Sequence, residues 1–251
     1  MKMTQTPIFH LAAVKAEMWV FLDERVEHGA ASCRFIVGCI VCAKERWMAL
    51  HGEVVRIGSL RQSRRLDGIR QLLDQLQGFA LLAYADLSIP QVRPGEIDGT
   101  DDIPEMKRQD NVWSQSVLAA AAAVLACLRT SGLDSAEVDL YYDPKSLTVV
   151  HRDAWERTLR EMLSEIAKED PATGAIQLSP ALAFRRIEQV PKRQGEIEGD
   201  CAQHGTFLAD QLCSQAPHLV SGKKVPRILV RDHTSVLRSM VSKFAGDVKR
   251  G

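Results

Sequence analysis

The sequence predicts an α/β fold in which helices cover both faces of a mixed β-sheet. Three observations lead to this prediction. Residues 18–22 and 35–42 form runs that are apolar on both faces, as expected of central strands between two helix layers. Only a short polar link separates these two runs, which is typical of an antiparallel hairpin. The later strand-like runs alternate with segments of helical period, as parallel strands and their crossover helices do.

The individual elements follow from hydrophobic periodicity and from the residues that end each run. Between residues 60 and 77, leucine and isoleucine recur at helical spacing, and Gly78 then provides a typical helix end. Residues 44–57 fit either a helix or a strand. Further strands are predicted at 79–85, 138–142 and near 184–190, and further helices at 112–130, at 152–169 and from about residue 206.

Length and composition fit one large domain with short appendages. The chain has 251 residues, of which 45% are apolar and 25% charged, values that are ordinary for a globular protein. Prolines and many acidic residues mark an insertion near residues 89–110. We therefore expect an N-terminal lead-in over residues 1–16, a domain over residues 17–220 that contains the acidic insertion, and a basic C-terminal extension over residues 221–251.

Charge and cysteine usage restrict the class of protein. The net charge is zero, which argues against coating nucleic acid by bulk attraction but permits a local basic groove. No secretory signal is visible, and the longest apolar run, residues 117–128, is shorter than the ~20 residues that span a bilayer. We therefore expect a cytoplasmic protein with no membrane partner and with reduced cysteines. Cys39 and Cys42 lie in a predicted strand, where residues three apart face opposite sides, so we expect two buried thiols there.

Acidic residues stand where several predicted elements end. Asp23, Asp86 and Asp143 each follow a strand run, and Asp210 interrupts the apolar pattern of the last helix. The carboxyl ends of parallel strands meet at one edge of a sheet, so these acids gather there unless they merely mark where strands enter water. Gathered carboxylates repel one another, and Mg²⁺ or Mn²⁺ relieves that repulsion. Two such ions about 4 Å apart can align an attacking water and stabilise a leaving oxygen in phosphodiester cleavage.

The order of these elements and acids resembles the ribonuclease H-like superfamily. More narrowly, it resembles an uncharacterised bacterial and phage family whose first strand ends in Asp-Glu-Ser-Gly. In that family a later strand ends in Asp, and a Lys-bearing segment and an Ala-Asp helix follow. The matching segments are Phe-Leu-Asp-Glu at 21–24, Tyr-Tyr-Asp at 141–143 and Leu-Ala-Asp at 208–210, with Lys192 before the last of them. Over roughly residues 17–216, the resemblance implies a ribonuclease H-like mixed sheet with helices on both faces.

The resemblance also implies a set of catalytic metal ligands, namely Asp23, Asp143 and Asp210. The narrower family favours Asp143 as the second ligand, whereas the strand order of the superfamily points to Asp86, and both stay open. The chain departs from the family pattern in three places: Arg25-Val26 replaces Ser-Gly, Val190-Pro191 replaces Asp-Ser, and Phe207 replaces a frequent Gln. These departures favour an altered or lost metal site.

Two functions from different classes follow. The leading hypothesis is a metal-dependent nuclease that uses Mg²⁺ or Mn²⁺ to hydrolyse DNA or RNA, as the resemblance implies. The alternative is a catalytically inactive binding or assembly subunit with a protein partner. For both we expect a role in bacterial defence or in a mobile element. For the nuclease, the side chains expected to contact the nucleic acid are Lys192, His204, Arg64 and Arg65.

Overall fold

The computed structural model describes residues 17–28, 32–87, 116–117, 119–128, 131, 133, 137–142, 184–190, 197–222, 224–235 and 237. Five predictions lie outside these residues, namely those for the lead-in at 1–16, the acidic insertion near 89–110, Asp143, the helix at 152–169, and Lys192. The described ranges contain one sheet and a helix layer on each of its faces.

One mixed sheet forms the centre of the described chain. Its strands are β1 (Glu17–His28), β2 (Cys33–Ala43), β3 (Phe79–Leu87), β4 (Glu137–Tyr142), β5 (Phe184–Gln189) and β6 (Ile228–Asp232). β2 is antiparallel to both β1 and β3, which confirms the predicted hairpin. β4 is parallel to β1, β5 to β4 and β6 to β3, so the strand order is β5-β4-β1-β2-β3-β6.

Helices cover both faces of this sheet. They are α1 (Lys44–Leu50), α2 (Glu53–Ser59), α3 (Gln62–Leu76), α4 (helical at 116–117 and 119–128), α5 (Ile197–Cys213) and α6 (Ala216–Val220). α4 packs on one face, and the other five helices pack on the opposite face. No helix in the described ranges is long and apolar enough to cross a membrane.

Side chains of the central strands alternate between the two helix layers, as the period of a strand requires. On β1, Leu22 belongs to the core beneath α4, whereas Phe21 belongs to the core beneath α5. Cys39 and Cys42 divide in the same way, so the expectation that they face opposite sides is confirmed. The predicted α/β sheet with helices on both faces is therefore confirmed, and its strand order is consistent with a ribonuclease H-like fold.

Two strands continue past the acids that were expected to end them. β1 extends beyond Asp23 to His28, and β3 passes through Asp86 to Leu87. The apolar run of β1 ends earlier because the outer part of that strand is only partly covered, whereas Leu87 at the end of β3 is buried. The pairing of both strands continues because a ladder needs backbone hydrogen bonds and not apolar side chains.

Three segments differ from the sequence expectations. The ambiguous residues 44–57 form α1 and α2, so the strand interpretation of that segment is wrong. α5 begins at Ile197 and not near residue 206, because polar residues and glycines interrupt the apolar pattern of its first two turns. β6 belongs to the stretch expected to be a basic extension, and it pairs with β3 as an edge strand of the sheet.

Glycines allow α5 to approach the sheet closely. A Cβ atom on Gly205 would lie 2.2 Å from the ring of Phe21, so only glycine lets the helix backbone rest on that ring. A Cβ atom on Gly38 would lie 2.7 Å from the carbonyl oxygen of Ala209 and 2.8 Å from the Sγ atom of Cys213. These contacts fix the C-terminal half of α5 over the middle of β1 and β2.

Candidate functional site

Asp23 lies on the sheet face that α5 covers. It is on the same side of β1 as Phe21, and in the register of the hairpin it is opposite Gly38. The residue is largely buried, with 8% of its surface exposed. Its Oδ1 atom accepts a hydrogen bond of 2.7 Å from the backbone N–H of Glu24. The strand itself therefore fixes this carboxylate beside the C-terminal half of α5.

Cys213, on the same helix as Asp210, contacts Asp23. The Cys213 Sγ atom donates to the backbone oxygen of Asp23 over 3.5 Å. Cys213 follows Asp210 by three residues on α5, so the two are neighbours on the helix surface. Burial is the main cause that raises the pKa of the Cys213 thiol well above its usual value, and the charges of Asp23, Asp210 and Glu24 add to it. The contact between Cys213 and the Asp23 backbone thus brings the turn of α5 that carries Asp210 next to β1 at Asp23.

Glu24 faces the other side of the sheet. It alternates with Asp23 along β1 and shares the side of Leu22, beneath α4. The residue is buried, with 5% of its surface exposed. Its side chain therefore does not join the pair formed by Asp23 and Asp210 on the α5 side.

A chain of hydrogen bonds holds Asp210. Gln211 Nε2 donates to Asp210 Oδ2 over 3.0 Å, and Arg65 Nη1 donates to Gln211 Oε1 over 2.7 Å. Arg65 also donates from Nε to the carbonyl oxygen of Leu60 at 3.0 Å and from Nη2 to that of Gly58 at 3.3 Å. These carbonyls end α2, where helix oxygens need donors from outside the helix. Arg65 therefore ties α2 and α3 to α5 next to Asp210.

Asp86 lies apart from this pair of carboxylates. It is opposite Arg34 in the sheet, and the Arg34 guanidinium binds its two carboxylate oxygens at 2.7 and 3.0 Å. Leu82 of the same strand pairs with Gly38, the residue opposite Asp23. Asp86 is thus displaced from Asp23 by roughly 13 Å along the strands and about 10 Å across them. The structure does not bring Asp86 to the candidate site.

His204 faces a different neighbour from Asp210. Its Nδ1 atom is 2.8 Å from Nδ1 of His51, and the two ring centroids are 5.0 Å apart. Burial, followed by the charge of His51, lowers the pKa of His204. About 9 Å of helix axis separates His204 from Asp210. Of the described residues expected to contact nucleic acid, Arg64 is exposed, whereas His204 and Arg65 are half-buried.

The other two predicted site residues, Asp143 and Lys192, lie outside the described ranges. Tyr142, the last described residue of β4, pairs with Leu22, which directly precedes Asp23. In the described part of the chain, no group of three or more His, Cys, Asp and Glu side chains is arranged to hold a metal ion. Of the predicted ligands, the described residues thus bring Asp23 and Asp210 to the same part of the sheet.

Three residues at this site were not singled out from the sequence. Gly38 interrupts an apolar strand run, and a glycine there is a signal for close approach of another backbone. Cys213 follows Asp210 at a spacing that places both on one side of a helix. Gln211 gives no such signal, because its role depends on Arg65, which is distant in the sequence.

Comparisons with known proteins add little beyond the fold. No protein-family model matches the chain, and no curated protein matches its sequence. Among solved structures, the chain is similar to the ribonuclease H2 from Pyrococcus horikoshii OT3, with 14% sequence identity and a TM-score of 0.39. That likeness covers 82% of this chain and 76% of the ribonuclease H2 chain. The order and direction of the strands and the two helix layers define the fold.

Proposed function

We propose that the chain is a divalent-metal-dependent nuclease that hydrolyses phosphodiester bonds of DNA or RNA. The observation that carries the proposal is the close packing of α5 on β1 and β2 at Asp23 and Gly38, which places the helix turn that bears Asp210 beside Asp23. Carboxylates that share a site repel one another unless a cation or a proton is present. The Asp-Glu and Ala-Asp matches to the resembled family favour a cation.

The donor chemistry of the two described carboxylates fits a hard divalent cation. Carboxylate oxygens suit Mg²⁺ and Mn²⁺, and Mg²⁺ is commonly held by one or two carboxylates together with waters and substrate phosphates. Asp23 and Asp210 would hold the ion, with Asp143 as the proposed third ligand. When bound, such an ion would neutralise charge on the phosphoryl group and polarise it towards attack.

The surroundings of each carboxylate determine how it can act. Asp23 is largely buried and accepts the Glu24 N–H, so its orientation is set by β1. Asp210 is only partly buried, so substrate approaching from solvent can reach its side of the site. Cys213 stays protonated because burial and neighbouring carboxylates raise its pKa, and it therefore offers no thiolate that would compete as a ligand.

Cationic side chains near α5 would hold the nucleic-acid backbone. Arg64 is exposed on α3, directly before Arg65, whose guanidinium reaches α5 at Gln211. Lys192 precedes α5 in the sequence and is proposed as a second contact. Contacts of this kind position a phosphate backbone without reading bases, so DNA and RNA are both compatible with them. A role in bacterial defence or in a mobile element stays a prediction from the resemblance alone.

The test uses labelled single- and double-stranded DNA and RNA, incubated with and without Mg²⁺ or Mn²⁺. We expect cleavage only with metal, and a loss of about 100-fold or more in Asp23→Asn and in Asp210→Asn, because each change removes a charged ligand. Asp143→Asn and Asp86→Asn then distinguish the two predicted second ligands. Asp86→Asn should retain activity, since the Asp86 carboxylate is bound to Arg34. Metal-dependent cleavage that persists undiminished in Asp23→Asn would refute the proposal.

A catalytically inactive binding subunit is the second candidate, and one observation favours it. β1 continues as a regular strand through Arg25 and Val26, with Val26 paired to Phe35, where the resembled family has Ser-Gly. The sequence after Asp23 therefore forms sheet and not the small-residue segment of that family. Calorimetric titration with Mn²⁺ separates the two candidates. The nuclease should bind Mn²⁺ and lose that binding in Asp23→Asn, whereas an inactive scaffold should show no Mn²⁺ binding that depends on Asp23.

A further inference from the structure

We propose that Arg65 and Gln211 are positioning residues that hold the Asp210 carboxylate in the orientation that divalent-cation binding needs. This inference rests on the proposed nuclease function and names two residues that act on its metal site. It also gives Arg65 a role different from the phosphate contact expected from the sequence.

The chemistry of the three side chains fixes the direction of their hydrogen bonds. A guanidinium can only donate, and an ionised carboxylate can only accept. Gln211 must therefore turn Oε1 towards Arg65 and Nε2 towards Asp210, which is the arrangement observed. With both ends of its amide engaged, Gln211 cannot rotate without losing both bonds. Asp210 Oδ2 is held by this amide, so Oδ1 is the oxygen assigned to the ion.

The start of this chain of hydrogen bonds is anchored in the fold. Arg65 is half-buried, and three of its nitrogen atoms donate to protein oxygens, two of them carbonyls at the end of α2. Gln211 is buried, with 7% of its surface exposed, so water has little access to its bond with Arg65. A charged donor polarises the amide that it binds and so strengthens the next hydrogen bond. The arrangement thus transmits the position and the charge of Arg65 to the Asp210 carboxylate.

The experiment is a double-mutant cycle read out by Mn²⁺ affinity and by the electron paramagnetic resonance spectrum of bound Mn²⁺. The variants are Arg65→Met, Gln211→Met and the double variant, with thermal unfolding as a check on folding. Arg70→Met is the matched control, because Arg70 is on the same helix but pairs with Asp74 at the surface. Loss of a partner that orients a metal ligand typically costs about 10–100-fold in affinity. We expect that loss, together with a changed spectrum, in each single variant, and no change in Arg70→Met.

The two single changes should not add. If Arg65 acts only through Gln211, the double variant binds Mn²⁺ no more than about twofold more weakly than the weaker single variant. Independent structural roles would instead make the two losses multiply, and that outcome overturns the inference.

If Arg65→Met fails to fold, Gln211→Met decides alone, and an affinity within twofold of the wild type overturns it. If wild-type binding survives Asp23→Asn, the nuclease proposal itself fails and the positioning role falls with it. If Asp23→Asn abolishes binding but Gln211→Met does not weaken it, only the positioning role is lost.

Discussion

The sheet face beneath α5 carries a buried aspartate near each of its two ends, and the neighbours of these two aspartates differ. Towards the amino end of β4, Asp139 is 2% exposed, and Arg185 binds its two oxygens at 2.9 and 2.6 Å. Farther along the sheet, Asp23 is 8% exposed and lies against the turn of α5 that carries Asp210. A buried acid bound by a guanidinium belongs to the fold. Acids gathered with one another oppose folding and are typical of a functional site.

At the amino end of β4, a bulge in β5 places Arg185 beside Asp139. Val138 pairs with Phe184, but Asp139 pairs with Arg186, so β5 carries one extra residue, Arg185, at this step. Such a bulge redirects a side chain that regular alternation would have pointed elsewhere. Hydrogen bonding to Asp139 is the main cause that raises the pKa of Arg185, so this cation is present at every accessible pH. The backbone is thus shaped to supply a partner for Asp139.

The largest effect that separates the two ends is expected from Arg185→Met. The change leaves the Asp139 carboxylate buried without its main partner. Loss of one partner from a fully buried pair costs ~3–5 kcal/mol, and we expect about 2–3 kcal/mol here because Arg185 is 38% exposed. Urea unfolding measures the loss of unfolding free energy. Arg56→Met is the control, because Arg56 and Glu53 form a surface pair on α2 that is worth about 0.5 kcal/mol or less.

The same measurement on Asp23→Asn sharpens the contrast. An amide oxygen can still accept the Glu24 N–H, and the change removes a negative charge near Asp210. We therefore expect Asp23→Asn to change the unfolding free energy by less than about 1 kcal/mol. A loss as large as that of Arg185→Met would make Asp23 a structural residue and would break the comparison.

An effect smaller than that of Arg185→Met is expected from Gly38→Ala, which alters the contact beneath the carboxylates. The added Cβ atom would meet the carbonyl oxygen of Ala209 at 2.7 Å and the thiol of Cys213 at 2.8 Å, and a backbone oxygen cannot easily give way. Overpacking of this kind costs about 1–3 kcal/mol, and we expect roughly 2 kcal/mol in urea unfolding. Mn²⁺ affinity should weaken as well, because α5 carries Asp210 away from the strand.

Gly52→Ala is the control for that change. Nothing lies within 4 Å of a Cβ atom at Gly52, and its φ of −62° suits alanine. We expect unchanged or slightly higher stability there. If Gly38→Ala is equally harmless, α5 does not pack closely on β2 at Gly38. The proximity of Asp210 to Asp23, which depends on that packing, would then be contradicted.

The sequence predicts the framework of this face better than its chemistry. Apolar runs reveal strands that are buried on both sides, so β2 to β5 were predicted to within two residues at each end, whereas β1 extends six residues beyond its predicted run. The runs also place Asp23 and Asp210 as candidates, since both interrupt apolar patterns. What periodicity cannot reveal is pairing between distant segments. The short edge strand β6, with two of its five residues exposed, has too little apolar pattern to be distinguished from a basic tail.

The same limit explains why the sequence could not distinguish Asp86 from Asp23. Asp86 and Asp23 each follow an apolar strand run, and nothing local distinguishes them. Their difference depends on the residue opposite, which is Arg34 for Asp86 and Gly38 for Asp23. That partner is set by the register of the sheet and not by the neighbouring sequence. Asp139 was not considered at all, because it lies inside a strand run, and only the bulge at Arg185 explains how it is accommodated.

The smallest expected effect is a pH dependence that originates beside the carboxylate pair and not within it. Burial and the charge of His51 lower the pKa of His204 below the value of about 6.5 that it has in the unfolded chain. As the pH falls through that value, the unfolded chain binds a proton that the folded protein resists, so stability present above about pH 6.5 is lost below it. His204→Gln should therefore reduce the fall of the urea unfolding midpoint between pH 7.5 and pH 5.5. Burial also lowers the pKa of His233, so some loss persists in His204→Gln. If the fall of the urea midpoint is unaltered in His204→Gln, the acid sensitivity of this face comes from other groups, the carboxylates among them. The two ends of the sheet would then have to be compared by the titration of all their ionisable groups.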